Sequence, residues 1–325
     1  MKTALLLLSL NVAGIPIVHR DLPRRMEAIG RELKAGHYDI VGLQEAWRDK
    51  DAAALGAASG LAHIARYERD ILLGTGLAIL SRFPILQKSQ RPFTSRPSAL
   101  RFYQGESVAN KGVLMARVQT PEGELDVYDA HLIAGYPDFR YRTLRLTQVF
   151  ELAEAMDEWS PGRAVVLLTD LNAGPGDSEY EILKDLLGLD DACRLKDTEL
   201  CPDPGRTKRI DHVLLPLGKL KRTGKPALVN DPPYRYSDHQ GVAALLEPKA
   251  LALRRKPHAR HRAEALEDIE AAIATMLESM ARRRRERAWL PAYGFVFALR
   301  YDHQAAYLTA LRDRVHSQLL RARKA

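Results

Sequence analysis

"MKTALLLLSLNVAGIP" (residues 1–16) admits two readings that lead to different proteins. A lysine, a run of leucines and then small residues resemble the start of a secretory signal peptide. The same letters also make a buried first β-strand, a short apolar run ending on the polar Asn11. The cationic stretch before the leucines is a single lysine, and Asn11-Val12-Ala13 lacks the small-x-small pattern of a cleavage site. The expectation is therefore a strand, no cleaved leader, a cytoplasmic chain and a retained Asn11.

Working outward, the same arrangement recurs: an apolar strand closed by a residue that can do chemistry. "LQEAW" (43–47) carries Glu45, and "VYDAHLIA" (127–134) carries His131. "VVLLTDLNAG" (165–174) carries Asp170 and Asn172, two apart and so on one face of an extended segment. "RIDHVLL" (209–215) carries Asp211, and "YSDHQGV" (236–242) carries Asp238 and His239. Singly, each has an ordinary explanation. An asparagine at a strand end is usually a turn former, a glutamate after a strand is usually solvated, and a lone histidine is usually structural. The recurrence carries the argument.

Apolar and period-two runs predict strands near 4–11, 39–44, 77–81, 112–119, 125–132, 164–170, 210–215 and 240–246. Helical spacing predicts helices over 23–35, 140–159 and 178–187, with Pro23 suited to a first turn. Residues 84–110, with three prolines, read as one long loop.

The pattern changes after Pro248. Leu266, Ile269, Ile273, Met276 and Met280 recur at three-and-four spacing, as do Leu308, Leu311, Val315 and Leu319, which predicts an amphipathic helical hairpin. The division expected is a catalytic domain over 1–248 and a basic helical extension over 249–325. Charge agrees: residues 254–325 hold 16 Lys or Arg against 8 Asp or Glu, while the other 253 residues hold 33 of each sign. The net charge of +8 thus lies wholly in the tail. A neutral catalytic region argues against a nucleic-acid-gripping face. The basic tail, with "WLPAYGFVFAL" (289–299) between its helices, suits an anionic membrane surface, and packing against the rest of the chain is the competing reading. Hydrophobic residues at 46% and charged residues at 28% exclude a disordered chain, and no run nears the roughly 20 apolar residues of a membrane span. Cys193 and Cys201, a lone local pair, are expected as reduced thiols.

Taken in order, Asn11, Gln44–Glu45, Asp170–Asn172 and Ser237–His239 resemble the endonuclease/exonuclease/phosphatase superfamily. "ANKGVLMARV" (109–118), "DAHLIAGY" (129–136), "DSEYEILKDLLGLDDA" (177–192) and "RIDHVLL" are most similar to its neutral sphingomyelinase branch, and the likeness covers about 1–247. The resemblance implies an α/β fold, a four-layer sandwich of two packed sheets flanked by helices. It implies a metal-dependent phosphodiesterase of phospholipase C type acting on a phospholipid. A nuclease or a nucleotide/inositol-type phosphatase is the alternative enzyme, and a binding module with lost activity the third reading. It places Mg²⁺, with Mn²⁺ as the alternative, on Glu45, Asn11 and Asp238. His239 would be the base, oriented by Asp211, although in some members the Asp170 position takes that role. Asp170 and Asn172 would position water and phosphate, His131 would donate to a phosphate oxygen, and Lys111 would be the nearby cation. His212, beside Asp211 but on the opposite face, reads as structural. Three decoys fail: "HRDLPRR" (19–25) lacks the later kinase asparagine, "GTG" (74–76) lacks the rest of a dinucleotide fingerprint, and 170–181 lacks the turn glycine of a calcium loop.

Overall fold

The structure, a computed structural model, describes residues 4–15, 21–68, 74–96, 110–134, 139–194, 209–216, 236–246, 253–254, 257–287 and 291–324. The leucine run forms strand β1 (Leu5–Asn11), buried at every position but Leu6. Leu5 and Leu7 enter a core between two sheets, whereas Leu8 and Leu10 face helices on the other side. A strand buried on both faces must be apolar throughout, which is why this one resembles a leader.

β1 pairs in parallel with β2 (Ile40–Gln44) and antiparallel with β11 (Val242–Leu246). With β3 (His63–Arg66) and β4 (Ala78–Ser81) they form a five-stranded sheet of order β11-β1-β2-β4-β3. The second sheet has six strands: β5 (Ile85–Pro92), β6 (Gly112–Thr120), β7 (Gly123–His131), β8 (Val165–Asp170), β9 (Asp190–Asp191) and β10 (Asp211–Leu215). Their order is β5-β6-β7-β8-β10-β9. The sheets pack face to face through residues such as Ile40, Ile79, Leu114, Val127, Val166, Leu168 and Val213.

Helices α1 (Leu22–Ala35) and α2 (Asp49–Ser59) cover the outside of the first sheet, burying Met26, Ile29, Leu33 and Leu55. Helices α3 (Phe139–Trp159) and α4 (Ser178–Leu187) cover the second. The architecture is thus the four-layer sandwich, with C-terminal helices added.

Those added helices, α5 (Ala259–Arg287) and α6 (Pro291–Lys324), form the expected hairpin. Both stripes named from sequence, Leu266 through Met280 and Leu308 through Leu319, are buried in the core that α3 and α4 share with the second sheet. Arg254 and Arg262 converge on Asp157 of α3 and reach the Leu187 and Leu186 carbonyls that end α4. The apolar face that a membrane would need is occupied by the protein itself. The side chains of 289–299 lie outside the described residues.

Three expectations need correction. The loop over 84–110 opens with a strand, β5, whose edge position buries no residue fully and so gave no apolar pattern. Helix α2 was not anticipated, because alanines and a glycine blur its face. Cys193 is disulfide-bonded, not a reduced thiol; the other cysteine, Cys201, lies outside the described residues.

Candidate active site

Strand register brings the chemistry to one end of the sandwich. Asn11 is level with Gln44, His131 with Asp170, and Asp170 with Asp211. Asn11 and Glu45 come from the first sheet, while His131, Asp170 and Asp211 come from the second, so the site straddles the seam between them.

Asn11, 1% exposed, crosses that seam. Its Nδ2 donates to Asp170 Oδ2 at 2.9 Å and to Glu45 Oε1 at 3.3 Å, and its Oδ1 accepts from the Ala13 N–H. Glu45 follows β2 with φ +59°, a left-handed conformation uncommon for a residue with a Cβ. It is held there by close backbone: a Cβ at Gly14 would lie 2.3 Å from the Glu45 carbonyl oxygen. Gly76, at φ +68°, packs against Trp47 and the Glu45 Cα, which gives the "GTG" stretch its actual use. Asn172 is also left-handed, at φ +54°, with its N–H on Asp170 Oδ1 and its Nδ2 on the Leu132 carbonyl.

His239 Nδ1 lies 2.7 Å from Asp211 Oδ2, and its Nε2 lies 4.0 Å from Asp170 Oδ2. Burial works against the imidazolium, but Asp211, Asp170 and Asp238 outweigh it and push His239 up to about 10. Burial, reinforced by Asp211, pushes the Asp170 carboxyl up to about 7. His131 goes the other way: burial, then the Lys111 and His239 charges, hold it well below the ordinary imidazole range. Lys111 Nζ sits 2.8 Å from His131 Nε2 and is itself buried. A neutral His131 accepts from Lys111 on one nitrogen and keeps one N–H to donate.

Asp238 is exposed, and its described contact is the Ser237 hydroxyl at 3.4 Å. The carboxylates brought closest together with His239 are Asp170 and Asp211, which offer one ligand atom each within 4.8 Å. The donor chemistry suits a hard cation: Glu45, Asp170 and Asp211 carboxylates with the Asn11 amide, and Asp211 Oδ1 is buried with no hydrogen-bond partner. His239 is committed through Nδ1 to Asp211, and suits proton handling better than ligation.

Two groups were not anticipated. Arg25, on α1, donates to the carbonyls of Val12, Ala13 and Tyr236, tying the turn after Asn11 to the loop that carries His239. No local pattern marks it, since its partners are backbone atoms from distant segments. Gln44 and Asp129 form a buried pair one pleat below the site. His212 is structural as expected: it is fully buried, with Nε2 on the Ala173 carbonyl and Nδ1 facing Asp191.

The fold and this constellation define a phosphoester-processing class, and the chain matches the Endonuclease/Exonuclease/phosphatase family over residues 8–239. The chain belongs to that family. It is 28% identical to rat (Rattus norvegicus) sphingomyelin phosphodiesterase 2 over 324 residues, covering 90% of this chain and 76% of the rat protein. It is 31% identical over 266 residues to a Drosophila melanogaster protein of neutral-sphingomyelinase type, covering 74% of this chain and 60% of that one. The inositol phosphosphingolipids phospholipase C of Schizosaccharomyces pombe is 31% identical over 183 residues, 54% of this chain and 43% of that enzyme. Among solved structures, a Staphylococcus aureus beta toxin mutant with bound magnesium ions shares the fold, with a TM-score of 0.57 and 18% identity over 74% of this chain and 99% of that one.

Proposed function

We propose that the protein is a divalent-metal-dependent phosphodiesterase that removes the phosphorylated head group of a sphingolipid, in the manner of phospholipase C. The observation that carries it is the Asp211–His239 pair at 2.7 Å, set beside buried Asp170 and the Asn11–Glu45 contact at the seam of the two sheets.

Asp211 accepts from Nδ1 and orients the ring. The carboxylates that raise His239 are those a divalent cation would neutralise, and with the ring thereby neutral Nε2 would take a proton from the attacking water. The imidazolium so formed is stabilised by Asp211. Asp170, placed between Asn11, Asn172 and His239, orients the water. Lys111 and His131 donate toward the non-bridging oxygens as charge builds on them. Glu45 and Asn11 are the residues that would hold Mg²⁺ or Mn²⁺, with Asp170 and Asp211 near enough to assist and Asp238 at the rim. A bound divalent ion would supply Lewis acidity at the phosphate and countercharge among these carboxylates.

The charge-balanced catalytic region supports a lipid over a nucleic acid, because polynucleotide binding draws on many cations. Bilayer contact would come from Ile15, 40% exposed beside the Asn11 strand end, and from the exposed arginines at the end of α5. No helix among the described residues is long and apolar enough to cross a membrane. The test is Mg²⁺-dependent release from sphingomyelin, lysophospholipid and plasmid DNA, assayed side by side. Head-group release from sphingomyelin with intact DNA is expected. DNA cleavage with sphingomyelin untouched would replace this reading with the nuclease one.

A further inference from the structure

One pleat beneath the catalytic residues lies a second polar layer. Ser9 stands two residues before Asn11, and Asp129 two before His131, so each shares a strand face with the catalytic residue above it. Gln44 immediately precedes Glu45. Its Nε2 donates to Asp129 Oδ1 at 2.6 Å and to Ser9 Oγ at 3.2 Å. Asp129 is fully buried, and its cross-strand neighbours Leu114 and Leu168 are both members of the apolar core between the sheets. Opposite it the first sheet has Gly42, where a Cβ would meet Leu168 at 2.8 Å and Asp129 Oδ1 at 3.3 Å. The missing side chain makes room for the carboxyl.

A carboxyl in such a place is costly unless it does something. Beyond these polar groups the sheets meet through an apolar cluster, whose contacts are non-directional. Yet the proposed chemistry needs Asn11 and Glu45 of one sheet held against Asp170 and His131 of the other. Side-chain contacts cross the seam inside the site, at Asn11–Asp170 and between Asp211 and His239 of the loop before β11, and below it at Gln44–Asp129.

We propose that Gln44 and Asp129 are positioning residues, a hydrogen-bonded tie that sets the first sheet's Glu45 and Asn11 in register with the second sheet's Asp170 and His131. The atoms left over describe the tie. Gln44 Oε1 and Asp129 Oδ2 are both buried acceptors without a hydrogen-bond partner. A proton on Asp129 Oδ2 turns two orphaned acceptors into one donor–acceptor pair, an acid–amide ring closed by the existing Nε2 bond. Burial, only partly opposed by the Gln44 bond and the backbone N–H groups of Ala78 and Leu43, holds Asp129 well above the ordinary carboxylate range, which favours that proton.

The inference rests on the phosphodiesterase reading for its kinetic readout and on stability for an independent one. The variants are Asp129→Asn, Asp129→Leu, Gln44→Leu and the double Gln44→Leu/Asp129→Leu. Each is assayed with Mg²⁺ on sphingomyelin micelles and melted in EDTA. Either single leucine strands a buried polar group, whereas the double removes both partners, so the double is expected to melt above both singles. Folded but untied, the double should lose about 100-fold in kcat, the order expected for an ångström-scale misplacement, with KM unchanged. Asp129→Asn, which can rebuild the ring as an amide pair, should stay close to wild type in both. A folded double variant with wild-type kcat would overturn the positioning role. Additive melting losses, or a double less stable than either single, would overturn the tie itself. If the wild type leaves sphingomyelin untouched, the same variants are assayed on whichever of lysophospholipid or plasmid DNA it hydrolyses. An equal loss there keeps the positioning role while the substrate reading fails, and a folded double variant with wild-type kcat overturns it. If none is hydrolysed, the kinetic role fails with the phosphodiesterase reading.

Discussion

The catalytic end of the sandwich and the α5–α6 hairpin are both dense in charge, and they place it in opposite ways. On the hairpin, charge sits at the surface in ordinary pairs: Arg323 with Glu267 and Arg284 with Asp302, each at 2.7 Å, and Arg262 with Asp157 at 2.8 Å. Beneath them the stripes are close-packed core. At the catalytic end the charges are buried and crowded together, and three of the four non-glycine residues with positive φ among the described residues (Ala13, Glu45 and Asn172) lie in the turns that follow β1, β2 and β8. Such residues cost of order 1–3 kcal/mol each and persist only where the surroundings impose them. The hairpin contributes stability; the site draws on it.

Substitutions in the two regions should therefore act differently. The largest effect is expected at the proton-handling pair. His239→Ala should reduce turnover by about 10²–10⁴-fold, the usual range for a general base, while still unfolding cooperatively, though at a lower temperature because Asp211 loses its partner. Steady-state kinetics beside thermal melting would show it, and wild-type turnover would remove this residue from the mechanism.

In the hairpin core the expectation reverses. Leu311 is fully buried, and Leu311→Ala should cost about 2–5 kcal/mol of stability while the folded fraction keeps its kcat. Removing 254–325 altogether should leave an insoluble chain, since it strips a face from α3 and α4. A soluble, active truncation would make the hairpin an appendage and reopen its use as a membrane-binding face.

Next comes a trade at Asp170. Its folded pKa of about 7 stands above its ordinary 3.8, so ionising it opposes folding. In EDTA, wild-type stability should fall as pH rises from about 4 to about 7, and Asp170→Asn should not share that fall. The variant would therefore melt a few degrees higher at pH 8 but not at pH 4, while losing activity. His239 adds a second decline: its contribution is complete below 6.5 and is lost as pH rises through about 10. Equal melting temperatures for wild type and Asp170→Asn at pH 8 would show that Asp170 carries no such burden.

The smallest effect belongs to the hairpin surface. Both partners of the Arg323–Glu267 pair are about half exposed, and Arg323→Ala should change stability by no more than about 1 kcal/mol, less in high salt.

Much of this contrast was legible before the structure. Strands buried on both faces, such as β1 and β8, announce themselves as unbroken apolar runs, and the residues ending them make up the candidate site. The hairpin stripes were legible for the same reason, but not which surface would cover them; only the fold sets α3 and α4 opposite. Edge strand β5 was missed because it buries little, and α2 because alanine and glycine carry no helical period. Arg25 and Asp129 act on partners far away in sequence, Val12 and Tyr236 for one and Gln44 for the other, so no window of neighbouring residues contains their meaning.

Head-group release from sphingomyelin is the reaction expected of a metal-dependent phosphodiesterase built at the seam of the two sheets. Wild type, Glu45→Gln and His239→Ala should be measured with Mg²⁺, with EDTA, and with Mg²⁺ restored. The account predicts release by the wild type that EDTA abolishes and Mg²⁺ recovers, and two folded variants that lack most of it. Undiminished release in chelator, or by Glu45→Gln, would contradict it.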